Sequence, residues 1–289
     1  MTAQPDRMKW ATKLSIGGVV CEFVDNSIKG TDELILDEEG VRGTRSMIIE
    51  RATQGQQRVS GDIKMNPTPL ELSGLWPFIA QGSTGDTLTD AMQDVTVIKD
   101  TQTTSESYSG RFSKFKFEGS PGKKMDLTLS FLGYSYTMGS GGVVSGTPDI
   151  TNSPYMMSQT GSGVTIGGTA YLFDKVSLEV DNKIEPTFMQ GRTATDLMPT
   201  GREVTLTCSL KYTSIETGLL ATAQAGPVLG TPVAGSIAWT NGTNSATFTF
   251  AAMIATPETV EIVAKKLRLP LTFKCLRVGS SLEVVAVFV

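Results

Sequence analysis

A strand-then-helix order that occurs twice constrains this chain more than any other feature. In the stretch from Arg58 to Gly82, Val59, Gly61, Ile63 and Met65 alternate with Arg58, Ser60, Asp62 and Lys64. That is the period-two signature of a strand with one face in a core and one in water. A helix is predicted directly after it. Thr68 caps it, Pro69 suits the first helical position, Glu71 completes a T-x-x-E capping box, and Leu72, Leu75, Trp76 and Ile79 share one face before a stop at Gly82. The same order returns from Glu203 to Gly226, with Val204, Leu206, Cys208, Leu210 and Tyr212 inward and Thr213 and Glu216 as a second capping box. Thr213 stands 145 positions after Thr68. Two anchors flank the pair. VDNSI at Val24 to Ile28 matches VDNKI at Val180 to Ile184, an offset of 156, and KKMDLTLSF at Lys123 to Phe131 matches KKLRLPLTF at Lys265 to Phe273, an offset of 142. Three anchors in one order predict a duplicated module.

A chain of 289 residues holds two such modules, each long enough to bury its own core. The spacing places the first at residues 1–145, including an N-terminal arm at 1–12 that carries Trp10. A linker rich in Gly, Ser and Thr follows at 146–168, and the second module occupies 169–289. Within the first module, Leu14 to Val24 reads as β-prone, with Asp25 and Asn26 as turn residues, and Met47 to Ile49 as the start of a strand. Ser83 to Glu106 reads as a long surface connection. Phe115 and Phe117, then Met125, Leu127, Leu129 and Phe131, alternate with polar residues across a turn at Gly119 to Gly122, which predicts a hairpin. In the second module, Val176, Leu178 and Val180 predict a strand, Asn241-Gly242 marks a hairpin tip, and Pro270 points to an edge or a bulge. The expected fold is mainly β: two tandem β-sandwich or open-barrel modules, each with a flanking α-helix that covers one sheet face.

The chemistry that the sequence excludes is as informative. There is no histidine, so the commonest general base, the commonest metal ligand and every Ser-His or Cys-His nucleophile arrangement are missing. P-loop, GxGxxG, EF-hand and HExxH patterns are absent, and the Gly-rich run near Gly139 lacks the helix start that a phosphate cradle needs. No cofactor and no catalytic residue are expected. Cys21, Cys208 and Cys275 lie far apart in strand-like runs and read as buried thiols. Net charge is −4, so clustered Lys and Arg of the kind that grips nucleic acid are not expected. The first residues carry charges where a signal peptide needs an apolar core, and no run approaches a membrane span. A soluble chain made in a cytoplasm, with no membrane partner, is the expectation.

One charged stretch stands out, from Gly30 to Gly43, which accounts for most of the length difference between the modules. Its acids, Asp32, Glu33, Asp37, Glu38 and Glu39, read first as solvated surface, then as a subunit contact with arginines such as Arg42 and Arg45, and last as a divalent-cation site.

VSLEVDNKIEPTF followed by PTGREVTLTCSLKY, within Val176 to Tyr212, resembles the tail tube proteins of bacteriophages with long non-contractile tails, whose pattern is a "-sl-vdN-ie" strand, a loop, a "G(R)-evt-s" strand and a helix-capping turn. GTRSMIIERATQGQQRVSGDIKMNPTPLELSGLW in the first half is similar to the N-terminal part of that family. The resemblance implies a structural virion protein that closes into rings by pairing strands between subunits. The stacked rings would form a tube that encloses a tape-measure protein and passes the genome. It implies further partners in a tail terminator and distal tail or baseplate proteins, and only transient, non-specific passage of DNA. Two modules per chain predict three chains per ring with pseudo-sixfold symmetry. On that reading Asp32, Glu33, Asp37, Glu38, Glu39, Arg42 and Arg45 are candidate inter-subunit or inter-ring contacts. The alternative is a phage head-decoration or host-surface-binding β protein, which would form a discrete oligomer and not polymerise.

Overall fold

The computed structural model describes residues 12–35, 53–80, 92–101, 103–157, 163–189, 191–212, 218–219, 232–257, 261–263, 266–279 and 283–289. In the first half the strands are β1 (Lys13–Ile16), β2 (Val19–Cys21), β3 (Asp25–Asn26), β4 (Lys29–Ile35) and β5 (Thr53–Met65). Helix α1 (Pro69–Ile79) follows, then β6 (Val95–Asp100), β7 (Thr104–Gly119) and β8 (Asp126–Ser140). The chain continues through β9 (Met156–Met157), β10 (Val164–Ile166), β11 (Thr169–Ala170), β12 (Phe173–Asp181), β13 (Ile184–Thr187), β14 (Asp196–Pro199) and β15 (Glu203–Lys211). It ends in β16 (Val233–Thr240), β17 (Ser245–Pro257), β18 (Glu261–Val263), β19 (Lys266–Leu276) and β20 (Val285–Phe288).

The alternating residues of β5 behave as their pattern requires: Val59, Ile63 and Met65 are buried while Arg58, Ser60, Asp62 and Lys64 face out. The helix starts where the capping box puts it. Thr68 Oγ1 accepts the Glu71 N–H at 3.3 Å and Glu71 Oε2 accepts the Thr68 N–H at 3.0 Å. The other oxygen, Oε1, accepts the Glu22 N–H at 2.8 Å and so ties the helix start to the chain after β2. Burial pushes the Glu71 carboxyl above the usual carboxylate range, against hydrogen bonds from Thr68 and Glu22 that work to lower it.

Pairing follows one path across the molecule. β3 and β4 pair with β5, β5 with β8 and β8 with β7; β7 pairs with β12, β12 with β15, β15 with β19, and β19 with β17 and β18. Every contact in this path is antiparallel. The N-terminal half of β7 pairs with β6, which carries the β1–β2 hairpin, and the start of β17 pairs with β16, which carries the β10–β11 hairpin.

The ladders of the two halves obey the offsets seen in the sequence. Shifting each β5–β8 pair from Val59–Gly133 to Met65–Leu127 by 145 and 142 lands on the β15–β19 pairs from Val204–Cys275 to Leu210–Leu269. The VDN anchors do not follow this rule. β12 pairs with β15 six residues away from where an offset of 156 would set it, and an offset of 150 restores the match: Asp25–Lys64 becomes Lys175–Ser209. The same 150 relates the tips of two hairpins, Gly17–Gly18 and Gly167–Gly168, both held in positive φ. Ile-Gly-Gly at residues 16–18 and 166–168 is therefore the anchor that the sequence reading passed over.

Two tandem modules, each with its own flanking helix, do not form. Among the described residues α1 is the one helix of more than two residues, and neither half closes into a barrel. The second capping box, Thr213 and Glu216, lies outside the described residues. The physical reason that one helix serves both halves is Trp76. Its ring lies 6.2 and 6.4 Å from Phe115 and Phe117 in the first half, and 5.6 and 5.4 Å from Phe248 and Phe288 in the second. One hydrophobic core accordingly runs from Leu14 and Ile63 to Phe273 and Ala286. The stretch from Ser83 to Glu106 is also not simply a surface connection, since β6 lies in it with Val95 and Val97 buried. Asp100, at the end of β6, is buried and accepts the N–H groups of Gly142 and Val144 at 2.8 and 2.7 Å. The first hairpin turns at Gly17–Gly18, whereas Asp25–Asn26 is a strand. Asn241–Asn244 does form a hairpin tip between β16 and β17. Pro270 pairs with Ser209 in the β15–β19 ladder, and on the other side of β19 it falls between the described pairs of β17 and those of β18. Met47 to Ile49 and the N-terminal arm with Trp10 lie outside the described residues.

Candidate functional site

At the β7–β12 contact the two halves become one sheet, with Lys114 to Gly119 running antiparallel to Asp181 to Val176. Phe115, Phe117, Val176, Leu178 and Val180 point into the core, so their neighbours of opposite parity must point the other way. Lys116, Glu118, Lys175, Ser177, Glu179, Thr205, Thr207 and Ser209 line a shallow open depression on that outer face. It is charged, yet nearly balanced. Lys114 Nζ lies 2.7 Å from Glu179 Oε1, while Glu118 Oε1 takes Lys175 Nζ at 2.8 Å and Lys116 Nζ at 3.2 Å. Farther across, Glu203 pairs with Lys183 at 3.0 Å and with Lys274. Partial burial works to raise the Glu118 carboxyl, but hydrogen bonds and charge from Lys175 and Lys116 outweigh it and hold it below the usual carboxylate value. Such a surface can hydrate and hydrogen-bond, but it holds no nucleophile with an activating base. Among the described residues no group of His, Cys, Asp and Glu could hold a metal ion.

Alternation along each strand was visible in the sequence, while the ion pairs were not. Lys114 and Glu179 are 65 positions apart and meet only because β7 and β12 are neighbours. The three cysteines are free and buried, as their strand positions suggested. Burial pushes all three thiols up, Cys275 to about 12.

Of the acidic stretch, Asp32 and Glu33 are on β4, while Asp37, Glu38, Glu39, Arg42 and Arg45 lie outside the described residues. The oxygens of Asp32 accept from Tyr136 Oη at 2.8 Å, Arg192 Nη2 at 3.0 Å and Gln57 Nε2 at 3.2 Å. Hydrogen bonding to Asp32 pushes the Tyr136 hydroxyl up. Arg192, between β13 and β14, also donates from Nε to the Gly55 carbonyl at 3.1 Å, and its own carbonyl accepts the Gln57 N–H at 2.6 Å. Thus the β13–β14 hairpin of the second half is docked on the first. Arg111 secures its other arm, with Nη1 donating to the Leu197 carbonyl at 2.6 Å and Nε to Asp94 at 2.7 Å. Tyr134, which donates to Asp94 at 3.0 Å, is pushed up to about 12 by burial and that hydrogen bond.

The two ends of the sheet path remain open. Among the described residues β3 and β4 pair with β5 alone, and β18 pairs with β19 alone. A polar sheet face and two open edges describe a surface for assembly. A family comparison decides the matter, because residues 11–275 match the phage tail tube proteins. The chain belongs to the phage tail tube protein family. It is a structural protein of the virion tail, not an enzyme, and it works by forming a tube. Among curated proteins none matches the chain. A tail tube protein must associate with copies of itself, and among the described residues the outer edges of β4 and β18 have no strand beside them.

Proposed function

We propose that this tail tube protein builds rings of three chains, each supplying two copies of a tube module, the first within residues 1–145 and the second opening at β10 (Val164–Ile166), earlier than the expected 169, and running to 289. The observation that carries the reading is the β7–β12 ladder. It joins β3–β4, β5, β8 and β7 to β12, β15, β19 and β17, sets related in that order by the offsets of the duplicated ladders, so it is an internal copy of a module-to-module contact. Shifting its two sides by 142 and by 150 names the contact between chains: the edge near Thr256 on β17 of one chain against Asn26 to Thr31 of the next, with Lys114–Asp181 becoming Thr256–Thr31. Three such junctions alternating with three internal ones close a ring with pseudo-sixfold symmetry. On this reading the polar face lines the lumen, and the core with α1 lies outside it. The lumen encloses a tape-measure protein and later passes DNA, and the stack ends at a terminator and at distal tail or baseplate proteins. Asp32 and Glu33 on β4, and Asp37, Glu38, Glu39, Arg42 and Arg45 further along the same charged stretch, serve contacts between subunits or rings. Synthesis takes place in the bacterial cytoplasm, where three buried thiols stay reduced.

Cysteine pairing tests the ring. Thr31→Cys with Thr256→Cys, oxidised after assembly, is expected to give a covalent ladder that stops at three chains. Lys114→Cys with Asp181→Cys is the matched control, with a bridge inside one chain. A ladder that stops at six, or no bridge between chains when the control bridges, would sink the three-chain reading.

A further inference from the structure

The sheet face at the junction carries more lysine than a conduit for a polyanion should show. Lys114, Lys116, Lys175, Lys183 and Lys274 gather within three neighbouring ladders, and among the described residues the set is held by three carboxylates, Glu118, Glu179 and Glu203. The strand register fixes these pairs. Lys114 and Glu179 sit diagonally across β7–β12, as do Glu118 and Lys175 across the same ladder, and Lys274 and Glu203 across β15–β19. An ammonium group already neutralised by a carboxylate brings no net charge with which to displace the counterions condensed on DNA. It gains little from a phosphate unless it first gives up its partner.

We propose that Glu118, Glu179 and Glu203 are masking residues that keep a latent duplex-DNA-binding face silent. The chain's overall negative charge is the wrong place to look for this property. Net charge acts over a Debye length, whereas a duplex at the junction meets five lysines within contact distance that are held by local pairs; Lys64 and Lys211, exposed on the same side of β5 and β15, supply the weak binding expected of the wild type. Other acids on the same face are engaged otherwise: Asp62 accepts from Ser130 Oγ, Asp126 from Asn66, and Asp181 from the Lys183 backbone N–H. Glu118 is the central mask, because it takes Lys175 across the joint between the halves and Lys116 on its own strand.

This inference rests on the proposed lumen position of the face, and the test separates the two. Binding of a short labelled DNA duplex to the unassembled subunit is followed by fluorescence anisotropy across a salt series. Wild type is expected to bind weakly. Glu118→Gln/Glu179→Gln/Glu203→Gln is expected to bind at least about tenfold tighter, with a log–log salt slope steeper by up to about 4.5, that is about 0.9 for each of five lysines freed. Glu118→Gln alone frees two lysines and is expected to show a slope change of about 1.8, which keeps the test open if the triple variant does not fold. Glu22→Gln/Glu33→Gln/Glu185→Gln, at exposed positions outside the set that pairs with these five lysines, changes net charge equally. Equal tightening in that control, or no tightening in the face variants, overturns the masking role. A separate arm reports the lumen. With Thr207→Cys on the face, assembled tubes are expected to react with a small maleimide but not with one carried on a large protein. Labelling by the large reagent would refute the lumen position and leave the duplex result to judge the mask.

Discussion

The two halves share their ladders residue for residue at β5–β8 and β15–β19, yet differ at the strand beside each. In the second half β12 keeps one continuous register along β15 from Lys175 to Asp181, after an irregularity at its first residues, with Leu178 opposite Leu206 and both buried. In the first half the equivalent strand is broken into β3 and β4, and Ile28 lies against Gly61 where Leu206 has its counterpart. A Cβ at Gly61 would fall 2.4 Å from Ile28 Cα, so the chain is pinched there. The difference follows coverage. β12 is sandwiched between β15 and β7 and can be straight, while β3–β4 borders open space, where an irregular edge resists indiscriminate pairing. A duplicated sheet has thus kept the ladder and changed the edge.

The largest test of how far the halves are separate is Trp76→Ala. It is expected to cost about 3–5 kcal/mol and to lower the urea midpoint of both halves together, since the ring touches aromatic residues from each. A second-half signal that keeps its original midpoint would show two independent cores. Next is Gly61→Ala, expected to destabilise by about 1–3 kcal/mol through overpacking. Ser177→Ala, on the open face of the straight strand, is expected to stay within about 0.5 kcal/mol. Similar losses in both would remove the pinched-edge account.

Thr68→Ala is expected to cost about 1 kcal/mol through the lost cap, measured by thermal unfolding. Glu71 adds a pH dependence with a definite sign. Because its carboxyl is raised in the folded state, the folded chain holds the proton longer than the unfolded chain does. The associated stability is complete below the ordinary carboxylate range and is lost as pH rises through the elevated value. Glu71→Gln is expected to flatten that part of the stability-against-pH curve, and an unchanged slope would place the effect elsewhere. The smallest expected effect is the coupling between Lys114 and Glu179. The pair is about a third exposed, so a double-mutant cycle is expected to return about 0.2–1 kcal/mol, less at high salt. A larger value would mean that the joint between the halves is held by charge more than by the apolar residues beneath it.

Much of this was legible in single residues. The cap at Thr68 and Glu71, the buried parity of β5, β8 and β15, and the hairpin at Asn241 follow from local preferences that need no neighbour. The VDN match misled because identical letters carried no information about register. The Ile-Gly-Gly tips were the sounder anchor, since positive φ at two successive residues is a physical demand on the backbone. β6 escaped notice because its apolar run is short and lies in a polar stretch. The role of Asp32 was out of reach: its partners Tyr136 and Arg192 are 104 and 160 positions away.

By itself the sequence determined that this is a β protein built on a repeated ladder, without the residues for histidine-based catalysis, and with the marks of the tail tube family. Alternation, capping and absence of a residue type are properties of the chain alone. Only the tertiary structure decided that the halves fuse through β7 and β12, that one tryptophan closes a common core, and that three glutamates hold five lysines. Those facts depend on which strands become neighbours. Neighbourhood in a sheet is set by the burial of whole faces against one another, which no local stretch of sequence contains.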